Sequence, residues 1–146
     1  MTRGVLLDTN LIIRAFDDAG TSDDKTKAAA KVLLTALLSD AEVVLAITPL
    51  IRYEVLRGVP LSDTQRFKEL ADALTQFETY EIRSVEADLS ARLWRYAVSK
   101  GQKPDKRSFD IAHVASAKAN DLEMSSGDGD IAKLQNLYND MMSEMN

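Results

Sequence analysis

Gly4-Val5-Leu6-Leu7-Asp8-Thr9-Asn10 decides how this chain is read. Gly4 to Leu7 is a short apolar run of the kind that forms a buried parallel strand. Asp8-Thr9-Asn10 carries helix-capping chemistry, and Leu11, Ile12, Ala15 and Phe16 continue as a short helix. A strand that ends on an acid and turns into a helix points to an α/β fold, in which ligands gather at the carboxyl ends of the strands.

The same alternation continues outward from that stretch. Residues 17–25 are polar and read as a mobile loop, and Ala28 to Leu38 reads as a helix. Val43-Val44-Leu45-Ala46-Ile47 is a second buried strand. Thr48-Pro49 opens the next helix, with Thr48 as cap and Pro49 at the first position, where its missing N–H costs nothing. Ser62 is expected to cap a helix whose buried stripe is Phe67, Leu70, Ala71, Leu74 and Phe77. Tyr80-Glu81-Ile82 reads as a weak third strand. Val85, Leu89, Leu93 and Tyr96 mark a helix that ends near Gly101. Ser108 is expected to cap a helix over Phe109 to Ala119, whose small residues allow close packing. Leu122 to Ser125 is a short last strand, and the tail from Leu134 to Met145 is helical. The expected fold is one α/β domain over 1–146, with a central parallel sheet of four to five short strands flanked by helices on both faces.

Composition narrows the function classes. The chain has 146 residues, 45% of them hydrophobic, which suits one domain with a real core. Its formal net charge is −5, so binding to nucleic acid would rest on local Arg and Lys clusters and on bound cations. With no cysteine, thiolate zinc sites and Cys nucleophiles are excluded. No apolar run approaches the ~18 residues of a membrane span. Met1 leads straight into a strand-like segment, so no secretory leader and a cytoplasmic location are expected.

Four acids stand out: Asp8, Glu54, Asp110 and Asp128. Each falls where the architecture faces the carboxyl ends of strands. Carboxylates converging there repel one another unless a cation sits between them. An oxygen-only donor set suits Mg²⁺ or Mn²⁺ better than zinc.

In their order along the chain these segments resemble the PIN-domain ribonucleases. Val5-Leu6-Leu7-Asp8-Thr9-Asn10 is similar to the family's opening motif. Tyr53-Glu54-Val55 is similar to its helix-borne Glu, and Phe109-Asp110-Ile111-Ala112-His113 to its third motif, an Asp heading an Ala-rich helix. Ser126-Gly127-Asp128-Gly129-Asp130-Ile131 is similar to the fourth, with Ile131 where Phe is commoner. The nearest likeness is to VapC-like toxins of bacterial toxin–antitoxin pairs. The resemblance implies a PIN-like, Rossmann-like fold and a Mg²⁺- or Mn²⁺-dependent endoribonuclease. Asp8, Glu54, Asp110 and Asp128 would be its catalytic and metal-binding residues, with Thr9, Asn10 and Ser126 in support. Asp130 would share or take the role of Asp128. Of the cations near these segments, Arg14, Arg52, Arg57, Lys106 and Arg107, a solvated surface charge is the plain reading of each, and Arg14 and Arg107 are the candidate RNA contacts. An antitoxin partner and a homodimer are implied as well.

Each acid also has a plainer reading. Asp8 caps the first helix, Glu54 is a solvated helix residue, Asp110 answers the helix dipole, and Asp128 belongs to a Gly-Asp-Gly-Asp turn. His113, one turn after Asp110, reads as a packed histidine. The rival functions are a PIN-like module that grips RNA or protein without cutting, and an Asp-nucleophile phosphohydrolase. The second lacks an acid two residues after Asp8, where Asn10 stands.

Overall fold

Three consecutive enclosed residues, Val5, Leu6 and Leu7, end strand β1 (Arg3–Leu7), and Leu45, Ala46 and Ile47 end β2 (Val43–Ile47) in the same way. Side chains of neighbouring strand residues point to opposite faces, so continuous burial means cover on both sides of the sheet, the hallmark of parallel strands. The two strands are indeed parallel, in register from Arg3 opposite Val43 to Leu6 opposite Ala46. The computed structural model describes residues 2–16, 24–125 and 129–145. Along it four strands alternate with seven α-helices, the α/β class expected from sequence.

The described chain divides into two compact units, residues 1–81 and 82–146. In the first unit β1 leads into α1 (Thr9–Ala15), and α2 (Asp24–Ser39) precedes β2. Asp24 and Lys25, expected in a loop over 17–25, belong to α2; residues 17–23 lie outside the described residues. Helix α3 (Pro49–Leu56) follows β2. Thr48 caps it by accepting from the Ile51 amide at 3.2 Å, with Pro49 at its start, as expected. Helix α4 (Thr64–Leu74) is capped by Asp63, not Ser62: the Asp63 carboxylate accepts from the Arg66 amide at 3.0 Å. Leu70, Leu74 and Phe77 are enclosed, but Phe67 is 46% exposed, so the stripe is narrower than its spacing suggests.

The third strand also differs from expectation. It is β3 (Glu78–Thr79), parallel to β2, with Ala46 opposite Glu78. The Tyr80 amide adds a 2.9 Å bond to the Ile47 carbonyl, while Ile82 lies outside the strand. Strand pairing is made by backbone groups, and buried Phe77 sets the chain beside β2 before Tyr80–Ile82 begins.

The second unit holds α5 (Ser84–Ser99), a 3-10 turn (Pro104–Arg107), α6 (Ser108–Ala119), β4 (Glu123–Ser125) and α7 (Gly129–Met145). Its core is Leu93, Ile111, Val114, Ile131, Leu134 and Met141 from α5, α6 and α7. Burying each of the larger side chains is worth about 2 kcal/mol. Ala115, Ser116 and Ala117 are almost fully enclosed on α6, which packs against α5, as their size allows. Ser108 is the first residue of α6 rather than its cap. Its hydroxyl donates back to the Asp105 carbonyl at 3.3 Å, because the 3-10 turn runs directly into the helix.

Helices α5 and α6 end in the same device. After α5, the Gln102 amide bonds the Ala97 carbonyl at 3.0 Å and the Gly101 amide bonds Val98 at 3.0 Å, with Gly101 at φ +80°. After α6, Leu122 bonds Ala117 at 2.8 Å and Asp121 bonds Lys118 at 3.3 Å, with Asp121 at φ +55°. These are Schellman caps, whose left-handed residue is ordinarily glycine.

Candidate active site

Asp8 stands at the carboxyl end of β1 and is 4% exposed. It occupies the N-cap position of α1 with extended backbone, φ −68° and ψ 140°, yet its side chain makes no capping hydrogen bond. Helix capping therefore does not account for this carboxylate. Thr9 follows it, and here the chain makes a contact across 45 residues: the Thr9 hydroxyl donates to Glu54 Oε1 at 2.9 Å. Glu54 is consequently no solvated helix residue. Its side chain is 12% exposed, and the Arg57 guanidinium lies 3.9 Å from its other oxygen. Helix α3 sets this geometry, because Thr48 and Pro49 fix its start and Glu54 lies within its last turn. Asn10 and Arg14 lie exposed on α1. The Arg66 guanidinium donates to the carbonyl of Phe16, anchoring the end of α1 to α4.

In the second unit, Asp110 lies in the first turn of α6 and is partly buried. His113 is 1% exposed, the packed histidine expected. Arg107 Nη1 donates to Asp130 Oδ1 at 2.7 Å, each side chain 40% exposed. That bond, chiefly, holds the Asp130 carboxyl below its ordinary range; partial burial opposes it, and the charges of Arg107 and Lys133 assist. Asp128 and Ser126 lie outside the described residues.

The donors suit a hard divalent cation. They are carboxylate oxygens with a neighbouring hydroxyl, and the one histidine is packed away. Among the described residues no group of three or more potential ligands is arranged around a metal position. Mg²⁺ commonly takes one or two carboxylates and keeps waters elsewhere, so the Asp8–Glu54 neighbourhood is chemically adequate.

Sequence reasoning passed over one enclosed acid, Glu86, on α5. It is 0% exposed, and Arg83 grips its Oε1 through Nε and Nη2, both at 2.9 Å. Its one advance signal is the Arg83-x-x-Glu86 spacing, which lets the two side chains meet on a helix.

The PIN domain family model matches residues 5–137. The chain belongs to the PIN-domain family. Solved PIN-domain relatives share its fold at low identity. The VapBC2 complex of Rickettsia felis, bound to a promoter DNA fragment, is 17% identical with a TM-score of 0.70, covering 91% of this chain and 94% of that one. FitAcB of Neisseria gonorrhoeae is 19% identical with a TM-score of 0.62, over 90% and 93%. VapC20 of Mycobacterium tuberculosis, described as a sarcin–ricin-loop-cleaving toxin, is 16% identical with a TM-score of 0.57, over 88% and 93%. No curated protein matches the sequence. Among the described residues no helix of this PIN-domain protein is long and apolar enough to cross a membrane.

Proposed function

We propose that this PIN-domain protein is a metal-dependent endoribonuclease and the toxin of a toxin–antitoxin pair, acting in the cytosol as one domain. The observation that carries the reading is the hydrogen bond from Thr9 to Glu54, which draws a helix-borne carboxylate to the residue after buried Asp8. Neither acid is explained by capping or by solvation. Similarity to toxin–antitoxin structures from three genera supports the biological role, and with it an antitoxin partner; a homodimer is part of the proposal.

In this reading Asp8, Glu54, Asp110 and Asp128 hold Mg²⁺ or Mn²⁺. The ion, when bound, activates water and offsets charge on the phosphate being attacked. Asp8 supplies a carboxylate at the end of a rigid strand, enclosed from bulk solvent so that its charge acts at full strength. Thr9 holds one oxygen of Glu54 and thereby orients the other. Asp110 is carried on the close-packed α6, which fixes where its carboxylate can reach. Arg14 and Arg107 are the candidate contacts to RNA phosphates.

A second reading is a PIN-like module that binds RNA or protein without cutting. One assay separates them. Purified protein should cut single-stranded RNA with Mn²⁺ or Mg²⁺ present, stop on addition of EDTA, and lose at least about 100-fold in rate as Asp8→Asn with an unchanged melting temperature. An Asp8→Asn protein that cuts at the unaltered rate refutes the assignment; no cutting under any metal favours the binding module.

A further inference from the structure

The second unit contains a cavity of about 330 Å³ that the acidic residues do not explain. Three cationic side chains line it, Lys103, Arg107 and Lys133, with one acid, Asp130. The local balance is thus positive, in a chain whose formal net charge is −5. The remaining wall is partly apolar, from Pro104, Leu134 and Leu137.

The fold builds this cavity deliberately. Gly101, left-handed at φ +80°, closes α5 and turns the chain so that Gln102 and Lys103 join the lining. A β-carbon at Gly101 would meet nothing within 4 Å, so glycine is there for its backbone conformation alone. On α7, Asp130, Lys133, Leu134 and Leu137 recur at helical spacing and so share one face. The 2.7 Å bond to Asp130 fixes the guanidinium of Arg107 in the lining. Lys103 and Lys133 form no ion pair among the described residues. Arg107 is three residues ahead of Asp110, so the cavity lies next to the start of the acid-bearing helix.

We infer that this cavity binds a phosphodiester of single-stranded RNA, with its attached nucleoside against the apolar wall. The inference rests on the nuclease reading and adds a place where substrate is gripped. Two ammonium groups and a positioned guanidinium match a phosphate. A volume near the lower limit of small-molecule pockets suits one nucleotide and is too small for a partner's helix.

The test uses the Asp8→Asn protein and a fluorescein-labelled, mixed-sequence RNA dodecamer, titrated across a salt series. Adding Lys103→Ala and Lys133→Ala should weaken binding about tenfold or more at low salt. It should also flatten the dependence of log affinity on log salt by about 0.7, the value for the one phosphate held. The charge-matched control, Lys25→Ala with Lys31→Ala on exposed positions of α2, should change neither. With Asp8 intact, the cavity variant should raise KM and leave kcat unaltered. Unchanged affinity and slope overturn the inference while leaving RNA cleavage standing. Loss of binding to a deca-glutamate peptide with RNA binding intact also overturns it, and assigns the cavity to an acidic protein segment. If the unsubstituted protein neither binds nor cuts RNA with Mn²⁺ present, the nuclease reading fails and this inference with it.

Discussion

Glu54 and Glu86 are both helix-borne glutamates withdrawn from solvent, and they are held in different ways. Glu86 is enclosed completely and gripped twice by Arg83, three residues earlier on the same chain segment. Asn120, at the end of α6, adds a long 3.4 Å contact to the same oxygen. Its other oxygen, Oε2, is buried without a hydrogen-bond partner. Glu54 instead receives a hydroxyl from a residue 45 positions away, beside another buried acid, and its cation Arg57 stands off at 3.9 Å. An acid neutralised at short range by a neighbouring arginine stabilises a helix junction. In the proposed nuclease, an acid oriented by the hydroxyl of the residue after Asp8 would be the one to face a cation.

The sharpest way to break this contrast is Glu54→Gln. RNA cleavage should fall at least about 100-fold with the melting temperature preserved, because the change removes charge and little volume. Equal cleavage by the variant would reduce Glu54 to a structural residue like Glu86. Thr9→Val comes next: it keeps the shape of the side chain and deletes the hydroxyl, so kcat should drop about tenfold through misorientation of Glu54. Restoration of activity by Thr9→Ser, but not by Thr9→Val, would confirm that orientation is the cause.

On the other side of the comparison, Arg83→Ala should leave cleavage alone and cost roughly 2 kcal/mol in chemical denaturation, the worth of a hydrogen bond to a buried charge. It should also change the acid limb of the stability curve. Burial by itself raises the Glu86 pKa, but the hydrogen bonds from Arg83, its own backbone and Asn120, with the charge of Arg83, outweigh it and leave the value lowered. A depressed folded-state value means that Glu86 contributes its full stability above its ordinary 4.5 and loses it as pH falls below that. Urea melts of Arg83→Ala should show that part of the acid dependence reduced; an unchanged acid limb would detach Glu86 from it. The smallest effect concerns the turn after Asn120. Asp121→Gly relieves a left-handed non-glycine residue and should add about 1 kcal/mol of stability. A loss of stability there would show that the Asp121 side chain supports the turn more than its backbone strains it.

Much of this was legible in the residues. Continuous apolar runs before Asp8 and Thr48 announced parallel strands, and Thr48-Pro49 announced the helix that carries Glu54. Less legible was whatever the backbone decides. Strand β3 precedes Tyr80–Ile82 because pairing follows where Phe77 anchors the chain. Asp63 displaces Ser62 as cap because either residue type suits the position, and only the exact helix start selects between them. At the candidate site, sequence order could nominate Asp8 and Glu54, but the hydroxyl that links them had no sequence signal beyond its place next to Asp8. Glu86 was invisible for the opposite reason. A Glu three residues after an Arg ordinarily lies in water, and burial depends on what packs over it.

Helix α6 joins distant tasks in a single stiff rod. Asp110 sits at its head, and the enclosed Ala115 and Ala117 lie along its shaft, up to about 10 Å further down the axis at 1.5 Å per residue. A methyl group added at either alanine has no empty space to occupy and must push the shaft aside, and the head moves with it. Crowding two turns away would thereby aim the carboxylate elsewhere without touching it, so the alanines act as gun-sights for an acid they never meet.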